Sequence, residues 1–274
     1  MQRSKNLTWI VSAALVATMG AAGCKKKSSG GGGGGGGGTV TLAGSNSMQP
    51  FADQWGEEFK GGTINVQAGG STAGIKAAKD GTANIGMSSR ELKPAEKAGL
   101  VETIVAYDGI SVIVHKSNPV SDLSVEQVRD IYAGKITNWK DVGGPDKGIT
   151  VITREDGSGT RGAFEEMVMG KDNSIASSAI VQAQTGGLRK MVAGDASAVG
   201  YMTMGQVTDE VNALKLAGVE ATEPNVAAGT YPLKRPFLFL TKGEPTGTTK
   251  AFIEFVLSEA GQKIARDDGL VPVK

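Results

Sequence analysis

The chain has 274 residues, with 29 Lys and Arg against 28 Asp and Glu, one Cys and one His, and this length is enough for one or two domains with real cores. A single cysteine excludes an internal disulfide and a multi-cysteine metal site, and a single histidine excludes a histidine-rich metal site, so we expect neither metal nor cofactor. Residues 1–38 carry five basic residues and no acid; because the whole chain is +1, residues 39–274 have a net charge of −4, which argues against nucleic acid as a partner.

The first segment, residues 1–23, has the layout of a secretory signal peptide. Arg3 and Lys5 precede an apolar run at residues 9–19 that is too short to span a membrane comfortably, and small residues then lead to Cys24. The stretch "GAAGC" resembles the lipobox of bacterial lipoproteins, in which the cysteine is acylated after cleavage and becomes the first residue. The alternative is an ordinary signal peptide with an incidental cysteine. We expect lipidation of Cys24, which would anchor the chain to a membrane.

Residues 24–38 have the composition of a tether. Three lysines and two serines follow Cys24, and nine consecutive glycines occupy residues 30–38. Such a run buries no apolar surface and is predicted to be flexible. About fourteen residues give an r.m.s. reach on the order of 20 Å. The sequence therefore describes an exported body held close to a membrane surface.

From Thr39 the body alternates short β-branched runs with amphipathic stretches. In the first predicted helix, for example, Phe51, Trp55 and Phe59 recur at i, i+4 and i+8. This alternation predicts an α/β domain with a largely parallel sheet. The predicted strands are "TVTLAG", "TINVQAG", "NIGMSS", "VETIVAY", "ISVIVHK", "ITVITRE", "AVGYM" and "RPFLFLT". The predicted helices are "MQPFADQWGEEFK", "TAGIKAAKDG" closed by Gly81, "KPAEKAG", "SVEQVRDIYAG", "GTRGAFEEMVM", "GGLRKMVAGD" and "TGTTKAFIEFVLSEAGQKIARDDG".

Three strand-to-helix turns share glycines and small hydroxyl side chains. They lie at residues 44–48, 69–74 and 157–160 ("GSNSM", "GGSTAG" and "GSGT"). In open α/β folds ligands bind beyond the carboxyl ends of strands, and the N–H groups of helix starts suit a small anion. Each turn alone is also compatible with an ordinary helix N-cap. Arg154 stands just before the third turn, where its guanidinium can bond two oxyanion oxygens at once, with Asp156 placed to orient it.

Catalytic motifs are missing from the sequence. It contains no G-x-x-x-x-G-K-[ST] run for nucleotide phosphates and no G-x-S-x-G nucleophile elbow. His115 is the only imidazole, and it ends an apolar strand. An exported phosphatase or esterase that uses one of the serines is therefore a minor alternative to a binding protein.

Five stretches of the body, taken together, resemble one known family. They are "AGSNSMQP", "GGSTAGIKAAKDGTANIGMSSREL", "YDGISVIV", "LSVEQVRDIYAGKITNWKDVGG" and "REDGSGTRGAF", in this order and spacing. They resemble the periplasmic phosphate-binding proteins of the PstS type, which deliver phosphate to ABC importers, and above all their shorter, lipoprotein-type branch. The resemblance runs from about Thr39 to the C-terminus.

The resemblance implies an α/β fold of the type 2 periplasmic-binding-protein superfamily. In this fold two lobes, joined by two crossover strands, close as a clamp over a ligand in the cleft between them. The crossovers would be residues 111–115 ("SVIVH") and 231–240 ("YPLKRPFLFL"). The first lobe would then comprise residues 39–115 with 231–274, and the second lobe residues 116–230.

The resemblance also implies which residues bind phosphate, with one departure. Longer members carry an aspartate that accepts a proton from phosphate, and here Ser89 has that place. A buried acceptor favours phosphate over sulfate, because sulfate has no O–H group to donate. We expect Asp108 to be the substitute acceptor; the alternative is that it caps a turn before Gly109. The expected phosphate ligands are Ser47, Met48 through its backbone N–H, Ser71, Ser89, Asp108, Arg154, Ser158, Gly159 and Thr160.

Two further arginines border the expected site. Arg90 could contact the anion as a second cation, or it could bridge the two lobes when they close. The alternative is a salt bridge with Glu91 or a neighbouring acid. Arg161 matches an arginine of the shorter branch, and we place it at the rim of the cleft, with direct contact to the anion as the alternative.

The function that the resemblance implies is reversible, non-catalytic capture of inorganic phosphate outside the cytoplasmic membrane. The partners would be the permease subunits of an ABC importer and, through the lipid anchor, a membrane; we expect a monomer at the periplasmic or cell surface. One alternative is a clamp for another tetrahedral oxyanion, such as sulfate or molybdate. Another is a sensory or scavenging lipoprotein that has no permease.

Overall fold

The computed structural model describes residues 37–273. The predicted signal peptide, the predicted lipidation site Cys24 and the tether as far as residue 36 lie outside the described residues. Within residues 37–273, no helix combines the length and the apolar character that crossing a membrane requires.

Strands and helices alternate through the described residues. The strands are β1 Thr39–Gly44, β2 Thr63–Ala68, β3 Ile85–Ser88, β4 Leu100–His115, β5 Asp122–Leu123, β6 Thr150–Arg154, β7 Ile180–Gln182, β8 Ala198–Thr203, β9 Val211–Ala213, β10 Lys215–Leu216 and β11 Lys234–Lys242. The α-helices are α1 Gln49–Glu58, α2 Ser71–Asp80, α3 Pro94–Lys97, α4 Val125–Tyr132, α5 Gly159–Phe164, α6 Thr185–Gly194, α7 Glu223–Ala227, α8 Gly247–Val256 and α9 Glu259–Asp267. A π-helical turn at Glu165–Met169 continues α5.

Several helix ends follow directly from the sequence. Gly81 closes α2 in the left-handed region, with φ of 73°, as the sequence predicts. A capping box begins α4, where the N–H of Gln127 donates to Ser124 Oγ at 3.1 Å. The C-terminal helical tail is two helices rather than one, because Ser258 caps α9 and accepts a hydrogen bond from the N–H of Gly261 at 3.3 Å.

Nine strands of the described residues form one sheet, in the order β2-β1-β3-β11-β4-β8-β6-β7 with β9 beside β4. On one side β1 is parallel to β2 and β3, and on the other β6 is parallel to β7 and β8. The two central strands, β11 and β4, are antiparallel to each other and to their outer neighbours β3 and β8. The prediction of a largely parallel sheet is therefore wrong at the centre, since hydrophobic periodicity carries no information on strand direction.

Strand β4 runs through both sides of this sheet. Its residues 100–109 pair with β11, whereas residues 110–114 pair with β8. The sequence predicts two strands here, separated at Asp108, and this is wrong. The strand continues because Asp108 lies opposite Arg235 of β11, and this register pairs the carboxylate with a cation inside the sheet. β4 and β11 are thus the strands that cross the molecule.

Two large apolar cores lie on either side of this crossing, and we call the regions around them the first half and the second half. Trp55 is at the centre of the first core, between α1, β11 and the C-terminal helices, and Trp139 belongs to the second core. Ile110, Tyr231 and Leu233 pack in the second core. The predicted lobe boundaries assign these residues to the first lobe; the boundaries themselves stay a prediction.

Candidate functional site

The three glycine-rich turns predicted to bind an anion meet between the two halves. The turns after β1 and β2 are neighbours because these strands pair in parallel, and the N–H of Gly70 donates to Asn46 Oδ1 at 3.2 Å. The turn after β6 approaches from the second half, where the carbonyl of Gly157 accepts a hydrogen bond from the N–H of Thr72 at 3.2 Å. The fold therefore places all three turns around one point.

Five buried hydroxyl groups lie at this point, each on a side chain no more than 1% exposed: Ser45, Ser47, Ser71, Ser89 and Thr160. We call them the hydroxyl cluster. Ser45 Oγ donates to Ser89 Oγ at 2.8 Å and lies 3.0 Å from Ser47 Oγ. Thr160 Oγ1, from the second half, donates to Ser47 Oγ at 3.3 Å. Because a hydroxyl both donates and accepts, each of these groups can direct its proton towards an oxyanion.

Gly159 allows the second half to approach this closely. A Cβ atom at Gly159 would lie 2.1 Å from Ser71 Oγ and 2.6 Å from Ser89 Oγ. Both distances are far below van der Waals contact, so only glycine fits while the two serines keep their positions. Ser71 and Ser89 are themselves linked, since Ser71 Oγ accepts the N–H of Ser89 at 3.1 Å.

Ser158 and Met48, two of the predicted ligands, stand at helix starts. Ser158 is the N-cap of α5, and its Oγ accepts a hydrogen bond from the N–H of Arg161 at 3.3 Å. Met48 precedes α1 and donates its N–H to the carbonyl of Ser45 at 3.2 Å, while its side chain packs in the first core. Their binding roles stay predictions.

Arg154 is 1% exposed, and acceptors surround its guanidinium. Nε and Nη2 each contact one carboxylate oxygen of Glu155 at 3.1 Å. Nη1 donates to Thr185 Oγ1 at 3.1 Å, and the carbonyls of Gln182 and Ala183 accept hydrogen bonds at 3.0 and 2.8 Å. Every nitrogen of this guanidinium therefore has a protein partner.

Asp156 does not orient Arg154, so this expectation is wrong. Asp156 instead contacts Arg161 Nη1 at 2.6 Å, while the neighbouring Glu155 extends to Arg154. Arg161 also pairs with Glu165 at 2.8 Å and donates to the backbone carbonyl of Arg154 at 3.0 Å. Arg161 thus ties the third turn to α5, with its side chain 20% exposed.

Arg90 forms a two-point ion pair with Glu96, at 2.7 and 2.9 Å. The sequence suggests a ligand cation, a bridge between the lobes or an ion pair as the role of Arg90. The structure shows the ion pair, and its acid is Glu96 rather than Glu91. Hydrogen bonding from Arg90 lowers the pKa of Glu96 to about 2, so the pair is ionised at neutral pH. The stem of Arg90 also faces the second half, because a Cβ at Gly162 would lie 2.8 Å from its Cδ.

A groove of about 740 Å³ runs between the halves outside the hydroxyl cluster. Thr72, Arg90 and Lys93 line it from the first half, and Asp156 and Ser158 line it from the second. Arg90 and Ser158 therefore face the outer side of the site.

A buried ion pair adjoins the hydroxyl cluster, and sequence patterns single out only one of its members. Arg235, 2% exposed, donates from Nε to Asp108 Oδ2 at 2.8 Å, and Asp108 is fully buried. Nη1 of Arg235 donates to Thr160 Oγ1 at 2.8 Å and to the carbonyl of Ser89 at 3.1 Å. The signal that indicates Arg235 is a cation within the apolar run "RPFLFL" of a predicted crossover.

The carboxylate of Asp108 is engaged on both oxygens. Oδ1 accepts hydrogen bonds from Thr203 Oγ1 at 2.7 Å and from the N–H of Met204 at 3.2 Å, while Arg235 contacts Oδ2. Burial raises the pKa of Asp108, and the charge of Arg235 opposes that rise. Burial likewise lowers the pKa of Arg235, and Asp108 counteracts this. The predicted role of Asp108 as the proton acceptor stays a prediction.

Two amide side chains that sequence patterns do not single out join the halves beside the site. Asn46 Nδ2 donates to the carbonyl of Ala183 at 2.7 Å. Gln206 Nε2 donates to the carbonyl of Ser47 at 2.8 Å. Amides are common in loops, so neither residue carries a sequence signal of its own.

Comparisons with known proteins agree with this architecture. A family model described as a PBP superfamily domain matches residues 29–260. The phosphate-binding protein PstS of Bacillus subtilis (strain 168) is 36% identical over an alignment of 244 residues that covers 86% of this chain and 81% of that protein. The phosphate-binding protein PstS of Pseudomonas aeruginosa is 30% identical over 269 residues, covering 85% of this chain and 83% of its own.

Solved structures show the same likeness. A putative phosphate ABC transporter substrate-binding protein with bound phosphate, from Clostridium perfringens, has a TM-score of 0.84 and 46% identity, covering 86% of this chain and 100% of that chain. An ABC-type phosphate transport receptor from Vibrio cholerae has a TM-score of 0.73 and 38% identity, covering 85% and 99%. The fold is thus the two-lobed binding-protein clamp that the sequence predicts. The chain belongs to the PBP superfamily and, within it, to the family of PstS phosphate-binding proteins.

Proposed function

We propose that this protein captures inorganic phosphate between its two halves without catalysis and delivers it to the permease of an ABC importer. The main observation is the hydroxyl cluster, which both halves build and which lies beside the buried Arg235. Relatives that cover most of the chain are phosphate-binding proteins, and the Clostridium perfringens structure contains phosphate.

The binding mechanism follows from the chemistry of the cluster. Neutral hydroxyl dipoles stabilise the anion, because an open cluster of lysines would also attract sulfate, chloride and nucleotides. Closing of the halves removes water and strengthens each hydrogen bond, whereas opening exposes the anion to exchange. The ligand thus favours the closed state, whose outer surface a permease can recognise.

Hydrolytic activity has no support in this geometry. The single histidine, His115, lies 2.8 Å from Ser117 through its Nδ1, and Ser117 is not a member of the hydroxyl cluster. Among residues 37–273 no group of three or more His, Cys, Asp or Glu is arranged to hold a metal ion. Activation of a serine needs an adjacent base or metal, so we assign binding rather than turnover.

Isothermal titration calorimetry of the full chain with phosphate, sulfate and molybdate tests the proposed function. We expect saturable binding of phosphate, and sulfate or molybdate at least about 100-fold weaker, because their oxygens cannot donate a proton to the buried acceptors. An assay with a phosphomonoester should show no turnover. Binding of sulfate or molybdate without a response to phosphate would contradict the proposal and favour a clamp for another oxyanion.

We also propose that the protein is exported and held at a membrane through acylated Cys24. The support is the sequence layout of residues 1–24. Expressed in a bacterium, Cys24→Ala should move from the membrane fraction, where the wild type is expected, to the soluble fraction, because the acyl chains provide the membrane affinity. Ser29→Ala is the control and should remain in the membrane fraction. Equal partition of the two variants would favour an ordinary signal peptide.

A further inference from the structure

One buried donor of Arg235 has no hydrogen-bond partner in the protein. Nη2 lies 2.7 Å from Asp108 Oδ2, yet its N–H bonds do not point at that oxygen, and among residues 37–273 it has no hydrogen-bonded acceptor. The side chain is 2% exposed. A buried donor without an acceptor costs roughly 1–3 kcal/mol, and more when the group is charged. Such a group is therefore expected to serve a ligand.

The same guanidinium already contacts the hydroxyl cluster. Its Nη1 donates to Thr160 Oγ1 and to the carbonyl of Ser89, at 2.8 and 3.1 Å. An anion held by these residues would be within reach of Nη2, and a hydrogen bond from a charged guanidinium to an oxyanion is stronger than one between neutral groups. Arg154 differs, because all its nitrogens already donate to Glu155, Thr185 or backbone carbonyls.

Both carboxylate oxygens of Asp108 are already engaged by the protein. A carboxylate offers about four acceptor sites. Thr203 and the N–H of Met204 donate to Oδ1 and Nε of Arg235 donates to Oδ2, at 2.7 to 3.2 Å, while Nη2 of Arg235 lies 2.7 Å from Oδ2 and occupies the space beside it. These contacts fix the plane of the Arg235 guanidinium.

We propose that Arg235 binds the oxyanion directly and that Asp108 is a positioning residue, which orients Arg235 rather than accepting a proton from phosphate. The proposal rests on the proposed function and adds a ligand to it. Because both oxygens of Asp108 are engaged, the P–OH group donates its hydrogen bond to a hydroxyl oxygen of the cluster, which can accept as well as donate. The buried carboxylate neutralises the guanidinium, and the donors face the anion.

Calorimetry of Arg235→Lys with phosphate tests the first part. Lysine keeps the charge beside Asp108, but a single ammonium cannot contact Thr160, Asp108 and the anion in the guanidinium geometry. Affinity should fall by at least about 30-fold, as for loss of a buried charged hydrogen bond. The control is Arg266→Lys, whose arginine pairs with Glu223 at the surface and which should bind as wild type. Wild-type affinity of Arg235→Lys would overturn the inference, whereas failure of the wild-type protein to bind phosphate would overturn the proposed function.

Asp108→Asn separates the positioning role from the acceptor role. If Asp108 positions Arg235, phosphate affinity should fall, but the ratio of sulfate affinity to phosphate affinity should stay as in the wild type. If Asp108 accepts the proton, the neutral amide would no longer repel sulfate and could donate to it, so sulfate would compete better, which would overturn the inference. Because Asp108→Asn leaves Arg235 without a counter-charge, the double variant Asp108→Asn with Arg235→Gln is measured in parallel. It should fold, as judged by circular dichroism, and lose at least about 30-fold in phosphate affinity; unchanged affinity would also overturn the inference.

Discussion

Gly159→Ala is expected to reduce phosphate affinity by more than about 100-fold and to leave the fold intact. The added methyl group would lie 2.1 Å from Ser71 Oγ and 2.6 Å from Ser89 Oγ, so the second half could not close to its observed distance. At least two hydrogen bonds to a charged ligand would be lost, each worth roughly 1.5–3 kcal/mol. Calorimetry with phosphate measures the loss.

Gly157→Ala is the matched control from the same turn. No atom lies within 4 Å of the position that its Cβ would take, so this variant should bind phosphate as the wild type does. Both variants should unfold at nearly the wild-type temperature when phosphate is absent, because the Gly159 clash lies between the halves rather than within a core. Full affinity of Gly159→Ala would mean that the halves do not close to this distance around the anion.

Trp55→Ala should lower the free energy of unfolding by about 3–5 kcal/mol, the usual cost of truncating a large buried aromatic side chain. Trp55 is fully buried, packs edge-on against Phe239 at 5.9 Å and donates from Nε1 to the carbonyl of Gly261 at 2.8 Å. It thereby joins α1 to β11 and α9. Urea denaturation without phosphate measures the change, since bound ligand would add its own stabilisation.

Trp55→Phe is the comparison for the aromatic contribution. It keeps much of the apolar contact with Phe239 but removes the hydrogen bond to Gly261, so its loss should be clearly smaller than that of Trp55→Ala. A loss below about 1 kcal/mol for Trp55→Ala would show that the first core tolerates a cavity at its centre, contrary to its packing.

Local patterns in the sequence predict most elements of the fold, because helix periodicity and caps act over a few residues. Gly81 ends α2 and Ser158 begins α5 for this reason. The course of β4 could not be predicted, because its continuity through Asp108 depends on Arg235, 127 residues away in the chain. Strand direction in the sheet centre depends on the same long-range pairing.

At the site, too, features that neighbouring residues determine can be predicted from the sequence, whereas contacts between residues far apart in the chain cannot. Its three turns are visible in the sequence because each places glycines and hydroxyl groups before a helix. Apart from the adjacent Glu155, the partners of Arg154 are not visible in the sequence, since they come from residues 182–185 of a separate strand and helix. Sequence spacing also does not show that Glu155, rather than Asp156, contacts Arg154, because this depends on the direction in which each side chain points. The sequence does not indicate the role of Arg235, because the function of one cation in an apolar run depends on Asp108 in the opposite strand.

The contacts that hold the halves together beside the site have a consequence for release. Asn46 with Ala183, Gln206 with Ser47, and Thr72 with Gly157 are single hydrogen bonds that water can replace. Each contributes only about 0.5–1.5 kcal/mol net. Breaking them disturbs neither apolar core, so an anion that contacts both halves shifts the population towards closed molecules.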